Sequence, residues 1–411
     1  MADFYDWTNA DINFIMRQKT KKMKLRIESL NLQDKVIGEI KGYCTGGSLD
    51  ITNSDLIRRS LSLQFVANEK LEINNKSPFW INKRLRIHTG VENYKGDTFW
   101  VNQGIFVPTQ PETSVSLTGR TITLNAMDKM VLADNQLLDS TLIAYCANYD
   151  YNDDDCRKSC PRSIDCPKEK YAPIYLGDGV KNLAKLYGET KFSITDKGPE
   201  IPYNLEFSAG DVIQDCIKEV TNLYMNYECF YNTAGELTFQ EMKSRLTDVP
   251  VWDFSGSSDF TISRQISADY TKIYNDFKVF GYYDDDKATQ PSWRVLMTDD
   301  ISEEPEPDTD YVSGSEFSIQ KMGRQHSLVI NEDNYTTKEQ CKARAEYEKQ
   351  CAENLINNFS ISTAPIYSLN DVNRVIKVND NGNRYTCLID SITYPLDVVS
   401  PMTISCHEIF V

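Results

Sequence analysis

Runs in which every second residue is apolar dominate the first third of the chain. Ser60, Leu61, Ser62, Leu63, Gln64 and Phe65 alternate strictly, which places the apolar side chains on one face of an extended strand. Leu25, Ile27 and Leu30 begin the same pattern, and turn signals at Gly46-Gly47, Asn74-Asn75 and Gly96-Asp97 separate the runs. This spacing predicts a small antiparallel barrel over residues 23–135. A stretch almost three hundred residues later reads the same way. Leu85 and Ile87 alternate with Arg84, Arg86 and His88, as Ile376 and Val378 alternate with Lys377 and Asn379. Each run is followed by a polar turn, a longer strand (99–108 and 385–395), and a last alternating strand closing on an acid, Asp128 or Glu408. The chain therefore reads as two copies of one β-wall, the late copy within residues 251–411, with chance likeness between short amphipathic strands as the alternative.

Between the copies the period changes. Val212, Ile213, Cys216, Ile217 and Val220 fall at helical spacing, with Ser208 as a candidate cap and Asp211 three residues on. Tyr227, Cys229 and Tyr231, a turn at Gly235, then Leu237 and Phe239 predict a hairpin, so residues 201–250 form a helix-plus-hairpin element. A second helix starts near Thr337, where Gln340 completes a capping box, and its apolar face is read as Cys341, Ala345, Ala352, Leu355 and Phe359. This helix interrupts the second barrel, which is therefore assembled from discontinuous segments. Residues 136–200 read as a loop-rich, cysteine-bearing insertion, and residues 1–22 as an arm that is either a solvated tail or a clasp on a neighbour. The predicted fold class is mainly β with α+β elements, built on two tube-like antiparallel barrels.

Composition narrows the function. A net charge of -16 argues against a broad basic surface for nucleic-acid phosphates, but it is compatible with a surface that DNA passes without sticking. The start of the chain lacks the basic and apolar regions of a signal peptide, and no apolar run approaches the ~20 residues of a membrane helix. Synthesis in a cytoplasm is expected, with most of the eleven cysteines reduced and acting as small buried hydrophobes.

Candidate chemistry is concentrated in Cys146, Cys156, Cys160 and Cys166. Four thiolates in a loop without a core of its own suit a structural zinc or an iron–sulfur cluster. Their spacing matches neither the paired zinc pattern nor a ferredoxin run, so disulfides and free thiols stay open beside the metal. His88, His326 and His407 read as hydrogen-bonded strand histidines rather than ligands. H-E-x-x-H, G-x-S-x-G and the glycine-rich nucleotide loops are all absent. Asp284, Asp285 and Asp286 lack the ligand spacing of a calcium loop. No enzymatic activity is expected.

The order of these features resembles the baseplate hub proteins of phage tails. The resemblance is carried by Trp80 with Arg84, by Gly104-Ile105-Phe106, by Asp128-Lys129, by the helix over 211–223 with Gly235 to Phe239, by Tyr274 to Val279, by Met322-Gly323-Arg324, and by Leu369 to Val372. It spans most of residues 24–411 apart from the cysteine insertion. It implies a virion protein, made in a bacterial host, that trimerises into a hub joining the sixfold tail tube to a threefold spike or fibre. Two barrels per chain would give six similar units around a DNA channel, and carboxylates lining it would let DNA pass without specific binding. The implied partners are the chain itself, a tail tube or distal tail protein, and a central spike or tail-fibre protein. Arg84, Arg86, Arg374 and Lys377 are the candidate assembly residues. Rival readings are a glycan-binding tail protein using Trp80 and Trp100, a cell-wall-degrading enzyme using paired acids, and a metal-dependent redox protein built on the cysteine insertion.

Overall fold

A computed structural model describes residues 9–18, 22–40, 44–66, 73–93, 95–117, 119–139, 142–145, 175–201, 205–242, 248–254, 261–268, 270–283, 289–301, 306–354, 357–380, 382–397 and 400–409. Cys146, Cys156, Cys160, Cys166 and the Asp284 to Asp286 run lie outside them.

Helix α1 (Asn9–Met16) buries Ile15 and Met16 in the main core. Arg17 lies 4.7 Å over the Trp252 ring and donates to the Asp253 carbonyl. This described part of the predicted arm is thus docked on its own chain. Seven strands follow: β1 (Lys22–Leu30), β2 (Val36–Glu39), β3 (Cys44–Thr52), β4 (Arg59–Val66), β5 (Arg84–Glu92), β6 (Thr98–Ser116) and β7 (Gly119–Asp128). As the alternation requires, Leu61, Leu63 and Phe65 of β4 enter the core while Ser60, Ser62 and Gln64 face away.

A second unit contains α2 (Val131–Asp134), β8 (Leu142–Tyr145), α3 (Leu176–Leu186), β9 (Phe192–Ile194), β10 (Leu205–Phe207), α4 (Ile213–Asn222), β11 (Tyr227–Tyr231) and β12 (Leu237–Glu241). It has its own core, in which Leu176, Val180, Leu183 and Ala184 of α3 meet Ile213, Cys216, Ile217 and Val220 of α4. The stretch read as loop-rich therefore contains a helix. Its i, i+4, i+7 and i+8 apolar positions belong to this core. Ser208 does not cap α4, which starts later behind Val212; the Ser208 N–H instead donates to the Asp211 carboxylate, closing the turn before the helix. The predicted hairpin is present, and Gly235 sits in its turn at φ +77°, where a Cβ would meet Ile105 at 2.7 Å.

Then come β13 (Trp252–Phe254) and β14 (Thr261–Ser267). A third unit comprises β15 (Asp276–Phe280), β16 (Ser292–Met297), β17 (Thr309–Val312), α5 (Ile319–Met322), β18 (Ser327–Asn331) and α6 (Lys338–Asn354). Its four strands run in the order β17-β16-β15-β18, with α6 laid on them through Cys341 and Ala345. The capping box is reciprocal: the Thr337 N–H donates to the Gln340 side chain, and the Gln340 N–H to the Thr337 hydroxyl. Phe359, read as part of this helix, instead opens the next strand. The chain ends with β19 (Asn358–Thr363), β20 (Val375–Asp380), β21 (Asn383–Pro395) and β22 (Met402–Glu408).

The expected pair of barrels is replaced by one open, thirteen-stranded sheet, ordered β14-β19-β22-β21-β3-β4-β7-β6-β5-β1-β2, with β20 and β13 branching from β21. The reason lies in β21. Its first residues pair with β20, while Ser391 to Pro395 pair antiparallel with β3 and fuse the early and late walls side by side. No strand closes either wall on itself among the described residues. Seven described cysteines are free thiols, and Cys216, Cys229, Cys341, Cys387 and Cys406 are buried. Among the described residues no helix is long and apolar enough to cross a membrane.

Candidate assembly interface

The two walls match strand by strand. In the first, β3-β4-β7-β6 are neighbours; in the second, β14-β19-β22-β21. Every junction is antiparallel, and the irregularities coincide. Phe106, Val107 and Pro108 face Asp128, Met127 and Ala126; one extra residue, Thr109, follows before Gln110 faces Asn125. Cys387, Leu388 and Ile389 face Glu408, His407 and Cys406; one extra residue, Asp390, follows before Ser391 faces Ser405. A second bulge agrees as well: Thr45 is extra between Cys44 and Gly46, and Ile262 between Thr261 and Ser263. A bulge inserts one unpaired residue and bends the strand, so two coincident bulges fix the same local curvature in both walls. The register read from sequence holds too, since Leu85 faces Phe106 and Ile376 faces Cys387.

One face of this eight-stranded stretch is core, and the other is polar. A row of directly paired residues crosses seven strands: Met127, Ser60, Asp50, Thr393, Thr403, Ser362 and Ser263. A parallel row runs Ser391, Ser405, Ser360 and Gln265. Gln64 and Thr123 lie beyond them on β4 and β7, and Glu112 follows on β6. Hydroxyls and amides dominate; the ionisable groups on this face are Asp50, Glu112, the hydrogen-bonded pair His407 and Asp390, and Arg384, which alternation places there at the start of β21. A trough of about 760 Å³ opens over Asp50, Ser60, Ser62, Gln110 and Asn125.

The joint between the walls is the β21·β3 seam. Thr393 donates its hydroxyl proton to Asp50 Oδ1 at 2.7 Å, the Leu396 N–H donates to the Gly47 carbonyl at 2.9 Å, and Tyr394 faces Leu49. The matching edges at the far sides, β6 from Gln110 onward and the outer side of β14, carry no ladder partner among the described residues.

Of the assembly candidates read from sequence, Arg84 reaches Asp34 at 2.7 Å and Arg86 reaches Glu28 at 3.4 Å, both within the chain. Arg374 and Lys377 are exposed. His88 hydrogen-bonds Glu28 and His407 Asp390, as expected of strand histidines, while His326, one residue ahead of β18, hydrogen-bonds the Ile273 carbonyl. Sequence reasoning missed a buried ion network that ties the first wall to the second unit. Arg58 pairs with Glu228 at 2.5 Å; Arg59 pairs with Asp371 at 3.0 Å and donates to the Tyr231 carbonyl. Lys129 pairs with Glu189 at 2.5 Å, and Lys129 together with the backbone N–H of Lys191 holds the Glu189 carboxyl below its ordinary range despite burial. Burial pushes Asp128 up to about 6, against three backbone N–H donors from Met130, Arg59 and Arg58. Two adjacent arginines leading an alternating strand were the available signal. Both must be anchored where the strand enters the core.

With this geometry the chain has the fold of bacteriophage tail proteins. The prophage MuSo2 43 kDa tail protein from Shewanella oneidensis superposes with a TM-score of 0.57 at 13% identity, over 95% of this chain and 98% of that one. The tail protein from Neisseria meningitidis MC58 gives 0.58 at 9% identity, over 94% and 96%. Prophage tail protein gp18 from Listeria monocytogenes EGD-e gives 0.51 at 10% identity, over 93% and 94%. No protein-family profile matches the sequence, and no curated protein does.

Proposed function

We propose that this chain is a non-catalytic structural component of a phage tail tip, a hub of three copies arranged around a channel. The observation that carries the reading is the doubled wall. Each copy supplies two four-stranded units with coincident bulges, already set side by side by the β21·β3 seam. Three such copies present six similar units, which suits a sixfold tube above and a threefold spike or fibre below. The polar face then lines the channel. It is dominated by hydroxyls and amides, with Arg384 as its one arginine along the paired strands, so it offers phosphates little to neutralise them. DNA would pass without being held. Exposed Arg374 and Lys377 remain candidates for contact with a tail partner.

The test is the mass of the purified protein in solution, together with class averages from electron microscopy. Three copies in a ring with a pseudo-sixfold outline are expected. A monomer that persists up to its solubility limit would overturn the proposal.

A further inference from the structure

We infer that neighbouring copies of this chain are stitched by a β-seam between the C-terminal half of β6 and β14 of the next copy, in the register the chain already uses internally. The hub reading supplies only the number of copies; the register comes from the walls themselves. β6 stands to β7 as β21 stands to β22, and β14 stands to β19 as β3 stands to β4, with the bulges as common markers. The internal seam joins β21 to β3. Its counterpart must therefore join β6 to a β14 that lies beyond the chain, a head-to-tail contact that closes into a ring.

Counting from the bulges gives the pairs. Glu112 takes the place of Thr393, and Ser267 that of Asp50; Thr113 matches Tyr394, and Ile266 matches Leu49; Ser114 matches Pro395, and Gln265 matches Ser48; Val115 matches Leu396, and Arg264 matches Gly47. The chemistry agrees at the polar position, with the roles exchanged. Inside the chain a Thr393 hydroxyl donates to the Asp50 carboxylate; between copies the Ser267 hydroxyl would donate to the Glu112 carboxylate. Burial agrees at the apolar positions. Leu49, covered by the internal seam, is 0% exposed, whereas Ile266 on the open edge is 38% exposed and Val115 is 77% exposed. The main chain agrees as well. The Val115 N–H would donate to the Arg264 carbonyl as the Leu396 N–H does to that of Gly47, and the Thr113 N–H would donate to Ile266. Pro111, matching Ile392, has no N–H to give, which fits a strand that is an edge until assembly.

Ser114 and Gln265 would form a non-hydrogen-bonded pair, whose Cα atoms lie about 4.5 Å apart, close enough for a disulfide. Full-length Ser114→Cys/Gln265→Cys protein, mildly oxidised, should give a reducible ladder ending at three linked chains. The parent sequence and the register-shifted pair Ser114→Cys/Ser267→Cys should give no such ladder. Thr113→Pro, which removes only an outward-facing N–H, should weaken association at least tenfold with an unchanged circular dichroism spectrum. Three copies in solution with no 114–265 link, or with Thr113→Pro indifferent, would overturn the seam and leave the hub standing. A monomer would overturn both.

Discussion

The two walls of the large sheet share their backbone and differ in what their ends are wired to. The first is continuous in sequence from β3 to β7; the second is split by the third unit, residues 268–357 separating β14 from β19. Outside the four matched strands the likeness fades: β5 is backed by antiparallel β1, whereas β20 is backed by parallel β13. The corner where each last strand ends is the most telling contrast. Asp128 accepts the backbone N–H groups of Arg58 and Arg59, which frees both guanidiniums to reach the second unit. Its counterpart Glu408 accepts instead from the side-chain amide of Asn357, the residue matching Arg59, and among the described residues anchors nothing beyond the sheet. The two walls therefore share curvature and edges and differ at the corner, where the first wall alone is tied to another unit.

The sharpest way to break this contrast is at the corner. Arg59→Ala removes the nearer of the two arginines on Asp371 and the guanidinium donor to the Tyr231 and Asn370 carbonyls, and should cost about 3–5 kcal/mol in urea unfolding. Asn357→Ala, at the matched position, should cost about 1 kcal/mol. Equal losses would mean that the two corners do the same work. Next come the matched core positions Leu63 and Ile361, both fully buried. Truncating either to alanine should cost about 2–5 kcal/mol, by similar amounts and within one cooperative transition. Loss of one wall alone would show two sheets where we describe one.

Much of this was legible in the sequence, for reasons that particular residues make plain. Strict alternation from Ser60 to Phe65 leaves a strand no choice of face, and the reading of Leu85 against Ile376 found the correct register because both strands bury that same phase. The hairpin after α4 and the capping box at Thr337 are local chemistry and were found for that reason. Closure was not legible. Whether β21 turns back on its own wall or pairs with β3 is a contact between residues more than three hundred positions apart, and alternation reads the same either way. Phe359 was misassigned because its apolar spacing continues the phase of α6 across the helix end. The make-up of the polar face of the sheet was not legible either. Net charge is a sum over the molecule and does not say which face the acids occupy.

Asp128 gives a comparison in pH. Burial raises its carboxyl from the ordinary value near 3.8 to about 6. The folded state therefore holds its proton more tightly, and that stabilisation, full below the ordinary range, is lost as pH rises through about 6. Glu189 and Glu228 have the opposite sign: both are held low, so their contribution is present at neutral pH and lost on acidification. Asp128→Asn should consequently gain on the parent protein by about 2–3 kcal/mol between pH 4 and pH 7. Chemical denaturation at several pH values measures this difference, and a flat difference would show Asp128 ionised throughout.

The smallest effect is the most discriminating, because the same kind of bond is expected to act in two different equilibria. Thr393→Val removes the hydroxyl that Asp50 accepts inside the chain and should cost about 1 kcal/mol of folding stability, read by urea titration below the association range. Ser267→Ala removes the matching hydroxyl on the open edge. It should leave that titration unchanged within about 0.5 kcal/mol and weaken association about tenfold, equivalent to about 1.4 kcal/mol. Exchanging the partners between copies, Glu112→Thr with Ser267→Asp, reproduces the internal arrangement of hydroxyl and carboxylate. A double-mutant cycle on association should then recover most of what each single change loses. Additive losses would mean that residues 112 and 267 never meet. The coincident bulges would then record shared ancestry of the walls without a shared joint.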